Sequence, residues 1–157
     1  MTPIIPLHVH SNYSLLFGTI PLEDLVQRAA HDGLPAIALT DINNVYGLHS
    51  FFAACQQHGV HPVVGATVRT PRHQAIVIAT DYPGFRTLTQ LLTQVRQHPP
   101  DDLLPLLSRL DRHTILLVSD LPLLERLVPR LSHANAPPLY AALPHMHLPL
   151  IRAARRL

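Results

Sequence analysis

Apolar positions along this chain recur with two alternating periods. Residues 4–9 (IIPLHV), 35–40 (PAIALT), 62–68 (PVVGATV), 74–80 (QAIVIAT) and 114–118 (TILLV) are short apolar runs rich in β-branched side chains, as in buried strands. A shorter run at 139–143 (LYAAL) predicts a sixth strand. Between them the spacing changes to that of helices. Leu22, Leu25, Val26, Ala29 and Ala30 share one helical face; so do Leu48, Phe51, Phe52 and Cys55. Phe85, Leu88, Leu91, Leu92 and Val95 predict a third helix, and Leu124, Leu127, Val128 and Leu131 another. A helical turn is expected near 103–107, after the Pro- and Asp-containing break at 98–102, and a last helix from residue 150.

Punctuation supports these elements. Pro21 suits a first helical turn, and Gly33 and Gly59 suit helix stops. Ser119 or Asp120 is placed to cap the helix whose first turn holds Pro122, and Pro129 to end it. The junctions HDGLPAIAL and QHGVHPVVG repeat one step: helix, Gly, short link, Pro, strand. Alternating strands and helices argue for a parallel α/β arrangement. About six strands without a Gly-x-Gly-x-x-Gly turn favour a barrel-like layout over a dinucleotide fold. Parallel barrels carry their sites at the carboxyl ends of the strands, where His8, His10, Asp41 and Thr67 fall.

Charge narrows the options for partners. The 157 residues hold 12 Arg and no Lys against 10 acidic residues, a net charge of +2 with His neutral. That is no electrostatic footprint for nucleic acid. The lone Cys55 excludes an internal disulfide. Residues 42–68 carry no Asp, Glu, Lys or Arg, yet Asn, Gln and His interrupt them too often for a membrane span. The N-terminal MTPIIPLHVH lacks a basic leader and is broken by prolines, so it is not a signal peptide. A cytoplasmic location is the expectation.

Chemistry concentrates at the start of the chain. Residues i and i+2 of a strand point to one side. His8 and His10 therefore face together, a spacing from which two imidazoles reach one metal or two adjacent ones. A hydrolytic metal site also needs carboxylates, which offset the cation's charge.

LHVHSNYSLLFG, EDLVQRAAHDGLPAIALTDINNVYG and HGVHPVVGATV resemble the opening of the PHP (polymerase and histidinol phosphatase) domain. In particular they resemble the PHP domain that begins the alpha subunit of bacterial DNA polymerase III and the error-prone polymerases of the same C family. The likeness is close over the first 95 residues, through HQAIVIATDYPGFRTLTQLL, and continues more loosely through LYAAL at 139–143. It implies a distorted parallel (β/α) barrel. Here that would be one domain over residues 1–157, truncated to about six strands and incomplete at its C-terminus. Active members hold up to three metals at the strand ends and hydrolyse phosphoesters; in others the cluster is eroded and the domain is a structural platform.

Carried over residue by residue, the family's ligand set is depleted. His8 and His10 match its first motif. Phe17 stands where the family has Asp, Ile42 where it has His, Thr67 where it has Glu, and Gln74 where a His is expected, with His73 adjacent. Asp41 is retained in a supporting position behind the ligands. Phe17 and Ile42 are expected to make the pocket drier, and a cation there would lack anionic partners. The resemblance implies a degenerate, non-catalytic PHP platform with no bound cofactor. Zn or Mn is the choice if a vestigial site at His8 and His10 keeps metal, and Mg serves the parent polymerase. Partners would be the rest of the polymerase chain and other replisome subunits, with no direct nucleic-acid site in this piece.

Two alternatives stay open. One is a metal-dependent phosphoesterase, of exonuclease or phosphatase type, recruiting His8, His10, Asp41, His73 and Asp120. The other is a small adaptor that holds a protein at the open barrel edge. Plainer readings stand beside the chemical ones. His8 and His10 serve equally as core histidines bonded to Asp41 or Ser11, and Asn43 and Asn44 as turn formers. His145 and His147 read as loop residues, and Arg152, Arg155 and Arg156 as a solvated helix face.

Overall fold

The structure is a computed structural model and describes residues 4–142, in two compact units that divide between Thr67 and Val68.

In the first unit, helix α1 (Leu22–His31) leads to strand β1 (Ala36–Leu39), and helix α2 (Leu48–His58) leads to strand β2 (His61–Arg69), whose last two residues pass the division. The two strands pair in parallel, from Ala36 opposite His61 to Leu39 opposite Val64. The apolar stripes explain the packing. Leu22, Val26 and Ala29 of α1 join Phe51, Ala54 and Cys55 of α2, over Ile37, Leu39 and Val60, in one buried cluster. Pro21 takes the capping position of α1, one place before the expected first turn. Gly33 and Gly59, both at φ +69°, turn the chain out of the two helices.

The strand expected at 4–9 runs alongside β1 but is not a regular strand. Its carbonyls do accept, Pro6 O from Ala38 N at 3.0 Å and Val9 O from Thr40 N at 2.9 Å. The donors fail to match. Pro6 has no N–H, and the Val9 N–H goes to the Thr40 hydroxyl at 2.9 Å.

The second unit contains strand β3 (Gln74–Ala79), helices α3 (Tyr82–Gln97) and α4 (Leu104–Leu107), strand β4 (Thr114–Val118), helix α5 (Leu121–Leu127) and strand β5 (Leu139–Ala141). Strand β4 lies antiparallel to β3, with Ile76 opposite Leu117, and parallel to β5, with Leu116 opposite Leu139. Its buried apolar residues include Leu88, Leu91, Leu92 and Val95 of α3, Val77 of β3, Leu116 of β4, Leu123 and Leu127 of α5, and Leu103, Leu104 and Leu107 at α4.

The all-parallel expectation is corrected here. A single helix between β3 and β4 would have made them parallel. Instead α3 runs down and residues 98–113, with α4, climb back, so His113 O meets Thr80 N at 3.0 Å where β3 ends. Among the described residues there are five strands in an open sheet, a mixed α/β arrangement, where about six parallel strands of a truncated barrel were expected. The helix expected from residue 150, together with His145, His147, Arg152, Arg155 and Arg156, lies outside the described residues.

Candidate functional site

The expected site in the first unit is built around a buried carboxylate. Asp41 follows β1 and is 1% exposed. Its Oδ1 accepts from Ser11 N at 2.8 Å and from Ser14 Oγ at 2.6 Å, and its Oδ2 accepts from Ser11 Oγ at 2.7 Å. Ser14 Oγ in turn accepts from Ile42 N at 2.9 Å. These bonds fold residues 11–18 into a tight loop, closed by Gly18 N donating to Ser14 O at 2.8 Å and Asn12 N to Ile20 O at 3.0 Å. Gly18 is required there, because a Cβ would lie 1.9 Å from Ser11 O.

The His pair sits beside this knot. The rings of His8 and His10 meet edge to face, with centroids 4.7 Å apart. His10 Nε2 lies 3.1 Å from Thr67 Oγ1, whose hydroxyl donates to Thr40 O at 2.8 Å. With that proton committed, Thr67 accepts and His10 Nε2 donates, which fixes the tautomer of a neutral His10. Partial burial of the His8 ring pushes its pKa below the ordinary histidine value, although the residue keeps solvent access.

Several expectations change. His8 is exposed and is not a core histidine; His10 bonds to Thr67, while Ser11 takes Asp41 for itself. Phe17 does not dry a pocket, because it is 54% exposed on the outside of the loop, next to Leu15 at 82% and Leu16 at 100%. The knot holds these three apolar side chains in solvent. Ile42 is half-buried and bridges in parallel to Thr67, which is fully buried. The Ser11–Ser14–Asp41 knot was missed at the sequence level. Its only sequence signal is Ser-x-x-Ser in a loop together with an Asp after a strand.

The remaining candidates belong to the second unit. Gln74 begins β3, and His73 precedes it. Asp120 caps α5 as expected, its Oδ1 accepting from Leu123 N at 3.1 Å, while its Oδ2 accepts from His73 Nδ1 at 2.7 Å. The other face of the imidazole looks toward Asp102, with Nε2 3.8 Å from Oδ1. Asp102 pairs with Arg126 and accepts from Leu104 N at 2.9 Å. The Arg126 guanidinium, then that N–H, hold its carboxyl below the usual carboxylate range.

The donor set fits a family-type metal cluster poorly. Two imidazoles converge in the first unit, but the nearby carboxylate has both oxygens committed to the loop. Among the described residues, no group of three or more His, Cys, Asp or Glu converges in a way that would hold a metal ion.

The chain matches the PHP domain over residues 6–125 and belongs to that family. It is 36% identical over 100 residues to the DNA polymerase III subunit alpha of Buchnera aphidicola, covering 59% of this chain and 9% of that one. It is 40% identical over 90 residues to an error-prone DNA polymerase of Symbiobacterium thermophilum, covering 57% and 8%. The chain thus spans less than a tenth of the length of these relatives. A solved structure from Bifidobacterium adolescentis, described as a metal-dependent phosphoesterase, shares the fold. Its TM-score is 0.50 at 19% identity, over 62% of this chain and 34% of that one.

Proposed function

We propose that this chain is the PHP region of a bacterial C-family DNA polymerase of the alpha-subunit type, serving DNA replication in the cytoplasm as a non-catalytic platform for the rest of the polymerase. On this reading the open α/β arrangement is an incomplete PHP barrel, and His8 and His10 are a vestige of its metal cluster. One observation carries the reading: the Asp41 carboxylate is spent on Ser11 and Ser14, while Phe17, Ile42 and Thr67 supply no charge near the two imidazoles. A divalent cation held by two neutral rings keeps most of its desolvation cost uncompensated. The exposed Leu15, Leu16 and Phe17 support the platform role, since an apolar tip in a fixed conformation suits a protein contact.

The test is metal retention. Protein expressed with Mn or Zn supplied, then passed through buffer without metal, is expected to hold well under one equivalent and to leave p-nitrophenyl phosphate and single-stranded DNA intact. A full equivalent of metal, with turnover that His8→Ala removes, would establish the phosphoesterase reading instead.

A further inference from the structure

We infer that the loop closed by the Ser11–Ser14–Asp41 knot is a dimer contact, seated against the same loop of a second copy of this chain. A loop that serves a platform meets some protein surface. Here its occupant is a second copy, and the contact rests on the loop's exposure, not on the loss of metal ligands.

The loop is rigid and faces outward. At its base Asn12 N donates to Ile20 O at 3.0 Å, and within it Ser14 N donates to Ser11 O at 2.9 Å and Phe17 N to Ser14 O at 3.0 Å. Leu15, Leu16 and Phe17 at the tip therefore have no freedom to fold back over a core. Leu16 holds φ +68° while its side chain lies wholly in solvent. The backbone bears that strain with no packing in return inside the molecule. Exposed apolar area continues from the tip to Ile20, 48% exposed at the base. Tyr13, 40% exposed, lies over Gly47, where a Cβ would stand 2.8 Å from its ring, and so beside Tyr46, 62% exposed. Asn44 Nδ2 donates to Tyr13 O at 3.2 Å and Tyr46 N donates to Asn44 Oδ1 at 3.1 Å, which ties this turn to the loop.

Area and charge choose the occupant. Together the six side chains expose on the order of 700 Å², close to the roughly 800 Å² that each partner gives to a specific interface. Residues 1–22 and 42–67 contain no Asp, Glu, Lys or Arg. A charged partner would find nothing there to pair with and would lose hydration against it. A second copy brings the same uncharged surface, with no like charges in opposition, and the same patch on both sides is what a two-fold interface requires. Asn12 and Thr19, exposed beside the tip, form an uncharged polar rim. A lipid surface fits less well. Arg28 is the one arginine among residues 1–67 and pairs with Asp32 at 2.8 Å, so no free cation stands ready for headgroups. Because the knot fixes the loop beforehand, association has little ordering left to impose.

The full chain, followed by sedimentation velocity at pH 7 over rising concentration, should pass from 17.5 kDa toward twice that mass and stop there. Leu16→Asp should weaken association at least about tenfold, since it seats a carboxylate in an apolar contact. Its fold should survive, because Asp tolerates the left-handed region, and circular dichroism checks this. Phe52→Gln alters another exposed apolar side chain, on α2 and outside the loop, and should dimerise as the parent does. Monomer at every concentration, a mass that climbs past the dimer, unchanged dimerisation of Leu16→Asp, equal loss in Phe52→Gln, or capture by phosphatidylcholine vesicles in place of dimerisation would each overturn the proposal. A monomer that retains no metal would leave the platform role standing, whereas a dimer that holds a full equivalent of metal would remove that role alone.

Discussion

Asp41 has almost no contact with water and three donors aimed at its two oxygens. Replacing it with Asn removes the charge and sets an NH2 group against Ser11 Oγ, which must then turn from donor to acceptor while Tyr13 N already donates to it. Asp41→Asn should destabilise the first unit by about 2–3 kcal/mol, the scale of a lost hydrogen bond to a charged group plus an unsatisfied buried one. Urea unfolding checks this. Gly18→Ala should fail more severely, since the added Cβ meets backbone and not a movable side chain. Leu16 is the opposite case. It holds φ +68° with its side chain fully in solvent. Leu16→Asn should therefore raise stability by up to about 1 kcal/mol, because Asn tolerates the left-handed region better. Burial pushes the Cys55 thiol up to about 11. At pH 8 it should resist Ellman's reagent in the native protein and react once the chain is unfolded in guanidinium.

At the scale of elements, the joint between β3, α3 and β4 is held by a charge. Asp81 caps α3 by accepting from Gly84 N at 2.9 Å and pairs with His113 Nδ1 at 2.6 Å. The Gly84 N–H, then His113, hold the Asp81 carboxyl below its ordinary range. A depressed folded-state pKa stabilises the native form above the ordinary carboxylate value near 4 and loses that contribution as pH falls through the folded value. Asp102, held down by Arg126, acts in the same direction. Acid unfolding followed by circular dichroism should therefore set in below about pH 4, and Asp81→Asn should flatten the stability profile in that window. Most helices here were legible from their stripes, because an apolar face shows at a 3.6-residue period whatever it packs against. The direction of β4 was not, since local spacing carries no record of whether residues 98–113 cross the sheet or return along it. The 4–9 strand misled for a local reason: its apolar content fits a strand, but its donors do not.

For the molecule as a whole, charge is scarce where apolar side chains are exposed. Residues 1–22 contain no Asp, Glu, Lys or Arg, and they include Leu15, Leu16 and Phe17. Little electrostatic repulsion opposes association through that surface, and less still near the sequence pI of about 9.1. Light scattering should rise from pH 7 toward pH 9. Leu15→Asp/Leu16→Asp/Phe17→Asp should suppress that rise while leaving far-UV circular dichroism intact. Scattering unchanged by the substitutions would place the association elsewhere and remove one support of the platform reading.

Order and spacing of apolar residues were enough to set out the helices, most strands, the Asp120 cap and the family, because each depends on neighbours a few residues apart. The sequence alone also singled out His8, His10 and Asp41 as candidates, through their expected places at strand ends. Tertiary structure alone decided what those groups touch. It committed Asp41 to two serines, gave His10 to Thr67, turned Phe17 outward and brought His73 against Asp120 across 47 residues of chain. Hydrogen-bond partners of that kind are chosen by which loops meet in space, a property no local pattern encodes.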